Sequence, residues 1–253
     1  MAMKSVDLLG VRVDDVTHVE AVERCAALIA GGGRHYVVTP NPEFVVLARR
    51  DTAFRAILNA AELAIPDGGG LLLAARLFGQ PLREQVRGTD LCQALVERAA
   101  REGWRLFLLG AGPGVADAAA GALARRHPGL EVAGTFAGDS SPDGDSETVA
   151  AVRGAGRCDL LFVAYGARRQ ERWIARNLEQ VDAGLAIGVG GVLDFMSGRI
   201  RRAPKRIRDL GLDWLFRLLI QPSRVRRQGE SIPLFLAFVL AAAAKRRWGR
   251  LRS

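Results

Sequence analysis

Short, unbroken apolar runs alternate along this chain with segments whose apolar positions recur every three or four residues. The runs at 35–39 (HYVVT), 62–66 (ELAIP), 104–110 (WRLFLLG), 130–134 (LEVAG), 158–166 (CDLLFVAYG) and 184–191 (GLAIGVGG) read as strands. Helical spacing fills the intervals. NPEFVVLARRD follows a capping Asn41, and DTAFRAILNA opens on a capping Asp51. Further helices are predicted over 70–79, 89–102, 114–127, 145–153 and 168–180. Strands alternating with helices predict an α/β fold built on a largely parallel sheet. The polar stretch 138–147 (GDSSPDGDSE) reads as a turn-rich, mobile loop.

In such folds ligands bind beyond the carboxyl ends of the strands. Several polar or glycine-rich positions fall there: Thr39 and Asn41, Asp67, the turn GAGPG beginning at Gly110, Gln170 and Asp194. The pattern therefore predicts one convergent site.

The pattern changes near Gly198. Apolar residues from Ile207 to Leu219 share one helical face between arginines. Residues 232–244 (IPLFLAFVLAAAA) are then apolar all round, with KRRWGR after them. As a helix this run would be about 20 Å long, short of a hydrocarbon core of about 30 Å. It is expected to bury itself in its own protein, in a partner or at a lipid interface, and basic residues with Trp248 at its end favour the interface.

Charge sharpens that division. The 253 residues carry a net +9, yet 15 Lys/Arg and only 3 Asp/Glu lie in 199–253, leaving 21 and 24 in 1–198. The expected organisation is a catalytic core over 1–198 and a basic helical appendage over 199–253 that meets anionic partners. Three scattered cysteines and three scattered histidines predict neither disulfides nor a zinc site. The N-terminus turns acidic before any apolar run, which predicts no secretory leader.

Two stretches carry candidate chemistry. GAGPG after a strand can aim amides at a diphosphate. A nicotinamide-dinucleotide reading is weakened because Val115 stands where the fingerprint has its third glycine. AIPDGGG (64–70) places Asp67 between a strand end and three glycines. Asp67 reads either as a turn residue bonding its own backbone or as a general base beside a phosphate-friendly glycine nest.

TPNPEFVV, AELAIPDGGGLLLAARLFGQPL, GTDL, FLLGAGPGVA, FVAYGARRQERWI and GVGGVLDFMSGRIRRAPKRIRDLGLDWLFRLLIQPSR occur in that order. This ordered set resembles the WecG/TagA/CpsF family, glycosyltransferase family 26, from about Thr39 to Arg227. The resemblance implies a Rossmann-like core with a C-terminal appendage that helps close the site and meets the membrane. It implies an inverting glycosyltransferase that moves a sugar from a UDP-sugar to a polyprenyl-diphosphate-linked saccharide in cell-surface polysaccharide synthesis. The sugar would be N-acetylmannosamine, its uronic acid or glucose. The implied location is peripheral, on the cytoplasmic face of the plasma membrane.

The resemblance further implies that Asp67 is the catalytic base. Thr39, Asn41, Gly110, Gln170 and Asp194 would bind substrate. Arg217, Arg224 and Arg227 would meet the lipid diphosphate and the membrane. The family arginine ahead of GTDL is Gln85 here, with Arg83 and Arg87 on either side and Arg87 the candidate to supply the charge. No tightly bound cofactor is expected, and no nucleic-acid motif marks the tail. No DxD-like acidic pair stands at a strand end, so the need for a divalent metal stays open, as does self-association. The alternatives are a nicotinamide-type oxidoreductase and a non-enzymatic, basic-tailed protein binding lipid or nucleic acid.

Overall fold

The computed structural model describes residues 3–204, 216 and 223–250. In chain order its elements are β1 (Ser5–Leu8), β2 (Val11–Asp14), α1 (His18–Ala30), β3 (His35–Val38), α2 (Pro42–Arg50), α3 (Thr52–Ala60), β4 (Leu63–Ala64) and α4 (Gly69–Leu77). They continue with α5 (Gly88–Glu102), β5 (Arg105–Gly110), α6 (Val115–Arg126), β6 (Glu131–Phe136), α7 (Asp145–Gly154), β7 (Cys158–Ala164), α8 (Arg169–Asn177), β8 (Ala183–Gly188), α9 (Val192–Met196) and α10 (Ser223–Arg250).

Local signals start the helices where the sequence predicts. The Asn41 side chain accepts the Phe44 amide at 3.0 Å, with Pro42 in the first turn. Asp51 accepts the Phe54 amide at 2.9 Å and opens α3. α1, which the apolar pattern alone does not announce, begins with a reciprocal capping box between Thr17 and Glu20.

The main sheet runs β4–β3–β8–β7–β5–β6, and every neighbouring pair is parallel. Side chains alternate across it. Leu106, Leu108, Leu160, Phe162, Leu185 and Ile187 face one apolar layer with α1, α5, α6 and α9. Phe107, Leu109, Leu161, Val163 and Ala186 face the other layer, with α7 and α8. Both faces are covered, which is why these strands read as continuous apolar runs. The α/β expectation is met.

The hairpin β1–β2 closes the β4 edge. Leu9 and Gly10 form its two-residue turn, with φ of 61° and 93°. Asp14 is buried, and its Oδ2 accepts the Ala64 amide of β4 at 2.7 Å. Arg12 stands 3.5 Å from the same oxygen. The edge strand thus finds a side-chain partner where a further strand would otherwise pair.

The apolar run of the tail lies within α10, and it is neither wholly buried nor wholly open. Phe235 and Val239 are 1% exposed and pack with Phe44, Leu71 and Ala74 of α2 and α4. Arg49 lies over the Phe238 ring and Arg246 over Phe78. Leu236 and Leu240 face outward, 40% and 61% exposed. Among the described residues no helix is long and apolar enough to cross a membrane. Most of the predicted amphipathic face from Ile207 to Leu219, and Arg217, lie outside the described residues. Arg224 and Arg227 fall on α10, with their side chains outside the described set.

Candidate active site

The crossover from β5 through α6 leads outward to β6, whereas that from β7 through α8 leads the other way to β8. β5 and β7 are neighbours, so their carboxyl ends form a topological switch point, where open α/β sheets bind ligands. A cleft of about 420 Å³ opens there. Ala111 and Gly112 line it from the turn after β5, Tyr165, Gly166 and Arg169 from that after β7, and Gly190 and Asp194 from the segment after β8.

The turn after β5 is built for close approach. Gly110 has φ +94°, and a methyl on it would stand 3.0 Å from both Ala164 and Tyr165. Ala111 follows with φ 67°. Arg199 donates to the Pro113 carbonyl at 3.4 Å and so ties the segment after α9 to this turn. The polar stretch 138–147 is held in place rather than loose. Gly138 to Ser140 line the cleft, Asp139 accepts from Ser141, and Arg176 pairs with Asp145 at 2.7 Å. The Ser141 hydroxyl and amide, with Arg169 beyond them, hold the Asp139 carboxyl below its ordinary value.

Gln170 is 3% exposed and joins two cleft loops. Its Oε1 accepts the Gly166 amide at 3.1 Å and the Gly190 amide at 2.9 Å. Its Nε2 donates to Glu171 at 2.7 Å.

A second cluster forms where β3 and β4 end. The Asp67 amide donates to the Pro40 carbonyl at 2.9 Å, and the Val86 amide to Pro66 at 3.0 Å. These bonds lay the AIPDGGG turn between the loop after β3 and the entry to α5. A methyl on Gly88, the first residue of α5, would stand 3.2 Å from Asp67 Oδ2 and 3.2 Å from Thr39 Cγ2. Asp67 and Thr39 therefore meet over the positive end of the α5 dipole. Gly68 and Gly70 lie against Pro42, where methyls would stand 3.1 and 2.9 Å from its ring. These glycines let α4 start against α2. Asn41 spends its side-chain oxygen on capping α2.

The two clusters are close. β3 is the neighbour of β8, so the Thr39 loop lies one strand spacing, about 5 Å, from the Val189–Gly191 loop. The β4 and β7 ends are three spacings apart, about 14 Å. Thr39, Asp67, Gly110, Gln170 and Asp194 thus share one end of the sheet. Arg87 immediately precedes Gly88; it faces Asp90 at 3.9 Å and lines a neighbouring cleft with His18, Glu84 and Gln85. Arg83 is engaged with Glu20 and Asp15. Gln85 also reaches the glycine turn, with Oε1 3.8 Å from where a Gly69 methyl would be. Arg169, Glu171 and the 138–140 turn are site features that sequence reasoning passed over; Arg169 had a signal, its place beside Gln170 at a strand end.

Among the described residues no group of three or more His, Cys, Asp or Glu could hold a metal ion.

A model of the glycosyl transferase WecG/TagA/CpsF family matches residues 6–249. A Staphylococcus aureus (strain NCTC 8325 / PS 47) protein is 33% identical over 242 residues, covering 95% of this chain and 94% of its own length. It is named N-acetylglucosaminyldiphosphoundecaprenol N-acetyl-beta-D-mannosaminyltransferase. Proteins of the same name from S. aureus strains COL and MRSA252 match to the same extent.

Proposed function

Because the chain belongs to the WecG/TagA/CpsF family of glycosyltransferases, we propose that it transfers N-acetylmannosamine from a UDP donor to N-acetylglucosamine carried on a polyprenyl diphosphate, with inversion. The observation that carries this reading is the meeting of Asp67 and Thr39 at the α5 N-terminus, on the same end of the sheet as the cleft of about 420 Å³ at the switch point.

In this reading the donor lies along the strand ends. Its diphosphate occupies the β5/β7 cleft, against the glycine-turn amides and Arg169. Its sugar reaches toward β3 and β4. Asp67 takes the proton from the acceptor hydroxyl. The freed oxygen attacks the anomeric carbon from the face opposite the phosphate, the bond from that carbon to the phosphate oxygen breaks, and UDP leaves with the electron pair. The amides and Arg169 meet the charge that develops on UDP. Asp194 borders the cleft on the sugar side.

A lipid-linked acceptor brings the enzyme to a membrane surface, and a nucleotide-sugar donor brings it to the cytoplasmic face. Exposed Leu73 and Leu77 on α4, with Leu236 and Leu240 on α10, support that placement. The appendage arginines Arg217, Arg224 and Arg227 would meet the lipid diphosphate and anionic headgroups.

The test is a panel of UDP-sugars against a synthetic N-acetylglucosaminyl prenyl diphosphate. Transfer from UDP-N-acetylmannosamine to give a β-linked disaccharide is expected. Transfer from UDP-glucose or the uronic acid alone would overturn the sugar assignment, and no transfer from any would overturn the acceptor. Repeating the assay after chelation tells whether a divalent ion shares the diphosphate charge.

A further inference from the structure

Gln170 and Glu171 are consecutive residues in the first turn of α8, and both are buried, 3% and 1% exposed. Consecutive helical positions point about 100° apart, and here the two side chains converge over β8. Gln170 is directed to the cleft loops, where its one oxygen receives the Gly166 and Gly190 amides. Glu171 lies behind it, and Oε1 receives Gln170 Nε2 at 2.7 Å. Glu171 Oε2 is buried without a hydrogen-bond partner among the described residues. The Glu43 carboxyl of α2, also buried, lies within electrostatic reach.

Such an arrangement is costly for stability alone. A buried carboxyl with one oxygen unmatched, near a second buried carboxyl, is usually no better than an apolar residue of the same shape. What Glu171 does supply is direction. An amide can turn over and exchange its oxygen for its nitrogen. Turned over, Gln170 would aim N–H groups at two loop N–H groups. Glu171 accepts only from the nitrogen and so fixes the orientation in which the oxygen faces Gly166 and Gly190. Gly188 of β8 leaves the space for this pairing: a methyl there would stand 2.7 Å from both Gln170 Nε2 and Glu171 Oε1.

We infer that Glu171 is a positioning residue for the donor site: through Gln170 it holds the loops after β7 and β8 at the spacing that receives the donor's nucleotide diphosphate. The inference rests on the assignment of the switch-point cleft to the donor.

The probe is UDP, titrated by calorimetry against the full-length wild type, Glu171→Leu, Glu171→Gln and Gly188→Ala, with melting temperatures recorded alongside. Leu removes the acceptor but keeps the bulk, so UDP affinity should fall about tenfold, the loss of one well-placed hydrogen bond, while the melting temperature holds or rises. Gln restores an acceptor oxygen and should return affinity to within about twofold of wild type. Gly188→Ala should weaken UDP binding from the strand side, and it supplies the test if Glu171→Leu does not fold. In turnover assays the KM for the UDP-sugar should rise more than kcat falls. Unchanged UDP affinity in Glu171→Leu or in Gly188→Ala, or equal losses in the Leu and Gln variants, would overturn the positioning role. A wild type that binds no UDP would instead overturn the donor assignment.

Discussion

Asp67 and Gly88 are matched: the carboxylate lies so close over the first residue of α5 that a methyl there would stand 3.2 Å from Oδ2. A larger residue would have to push the carboxylate, or Thr39 beside it, away from the strand ends. Glycine at this position is therefore a condition for the proposed base to stand where it does.

Asp67→Asn should abolish turnover while leaving UDP affinity and the melting temperature near wild type. Gly88→Ala should lower kcat about tenfold through displacement alone, because a small misplacement of a reacting group is costly. Turnover of the lipid-linked acceptor, with UDP titration as control, checks both. Near-normal turnover in Asp67→Asn would remove it as the base.

The stability of the protein should fall across neutral pH on account of Glu171. Burial pushes its carboxyl up to about 7, and the Glu43 carboxyl adds to this; the Gln170 amide and the backbone amides of Glu171 and Arg168 oppose it. The unfolded chain gives up that proton near 4.5, so the native state binds more protons between the two values. The stabilising contribution is complete below about 4.5 and is lost as pH rises through 7. Denaturant unfolding at pH 5, 6, 7 and 8 should show wild type losing stability relative to Glu171→Gln, and parallel profiles would contradict the assignment.

Membrane attachment should depend on the outward face of α10, not on its inward face. Leu236→Glu with Leu240→Glu should reduce flotation with phosphatidylglycerol vesicles about fivefold or more without moving the melting temperature. Phe235→Ala should do the reverse, costing about 3–5 kcal/mol as a fully buried aromatic truncation. Deleting the whole run would mix the two effects, since Phe235 and Val239 belong to the core. Unchanged flotation in the double variant would turn the search to another surface.

The β4 edge should be sensitive to Asp14. Asp14→Ala leaves the buried Ala64 amide without its acceptor, at a cost of about 1–3 kcal/mol. Urea unfolding measures it, and turnover per folded molecule should be unaffected, because this contact faces the hairpin rather than the site.

Much of the core was legible because its physics is local. Strands covered on both faces must be apolar at every position, so β5, β7 and β8 stand out as runs. Asn41 and Asp51 mark helix starts through bonds that span three residues. Asp67 was visible as a lone acid between a strand and a glycine turn. The ordered motifs named the family. The strand predicted at 62–66 is β4, of which two residues pair, but the hairpin that completes its edge was not legible in its pattern.

Only the tertiary structure decided what depends on residues far apart in sequence. Strand order puts β3 beside β8 and so brings Thr39 near the Gly190 loop across some 150 positions. It gives Gln170 two loop amides to join and Glu171 the task of orienting it. It turns Phe235 inward and Leu240 outward in a run that is apolar on every side. Composition and periodicity report what a residue prefers to meet; which partner it meets is set by chain crossovers, and those leave no mark at the residue itself.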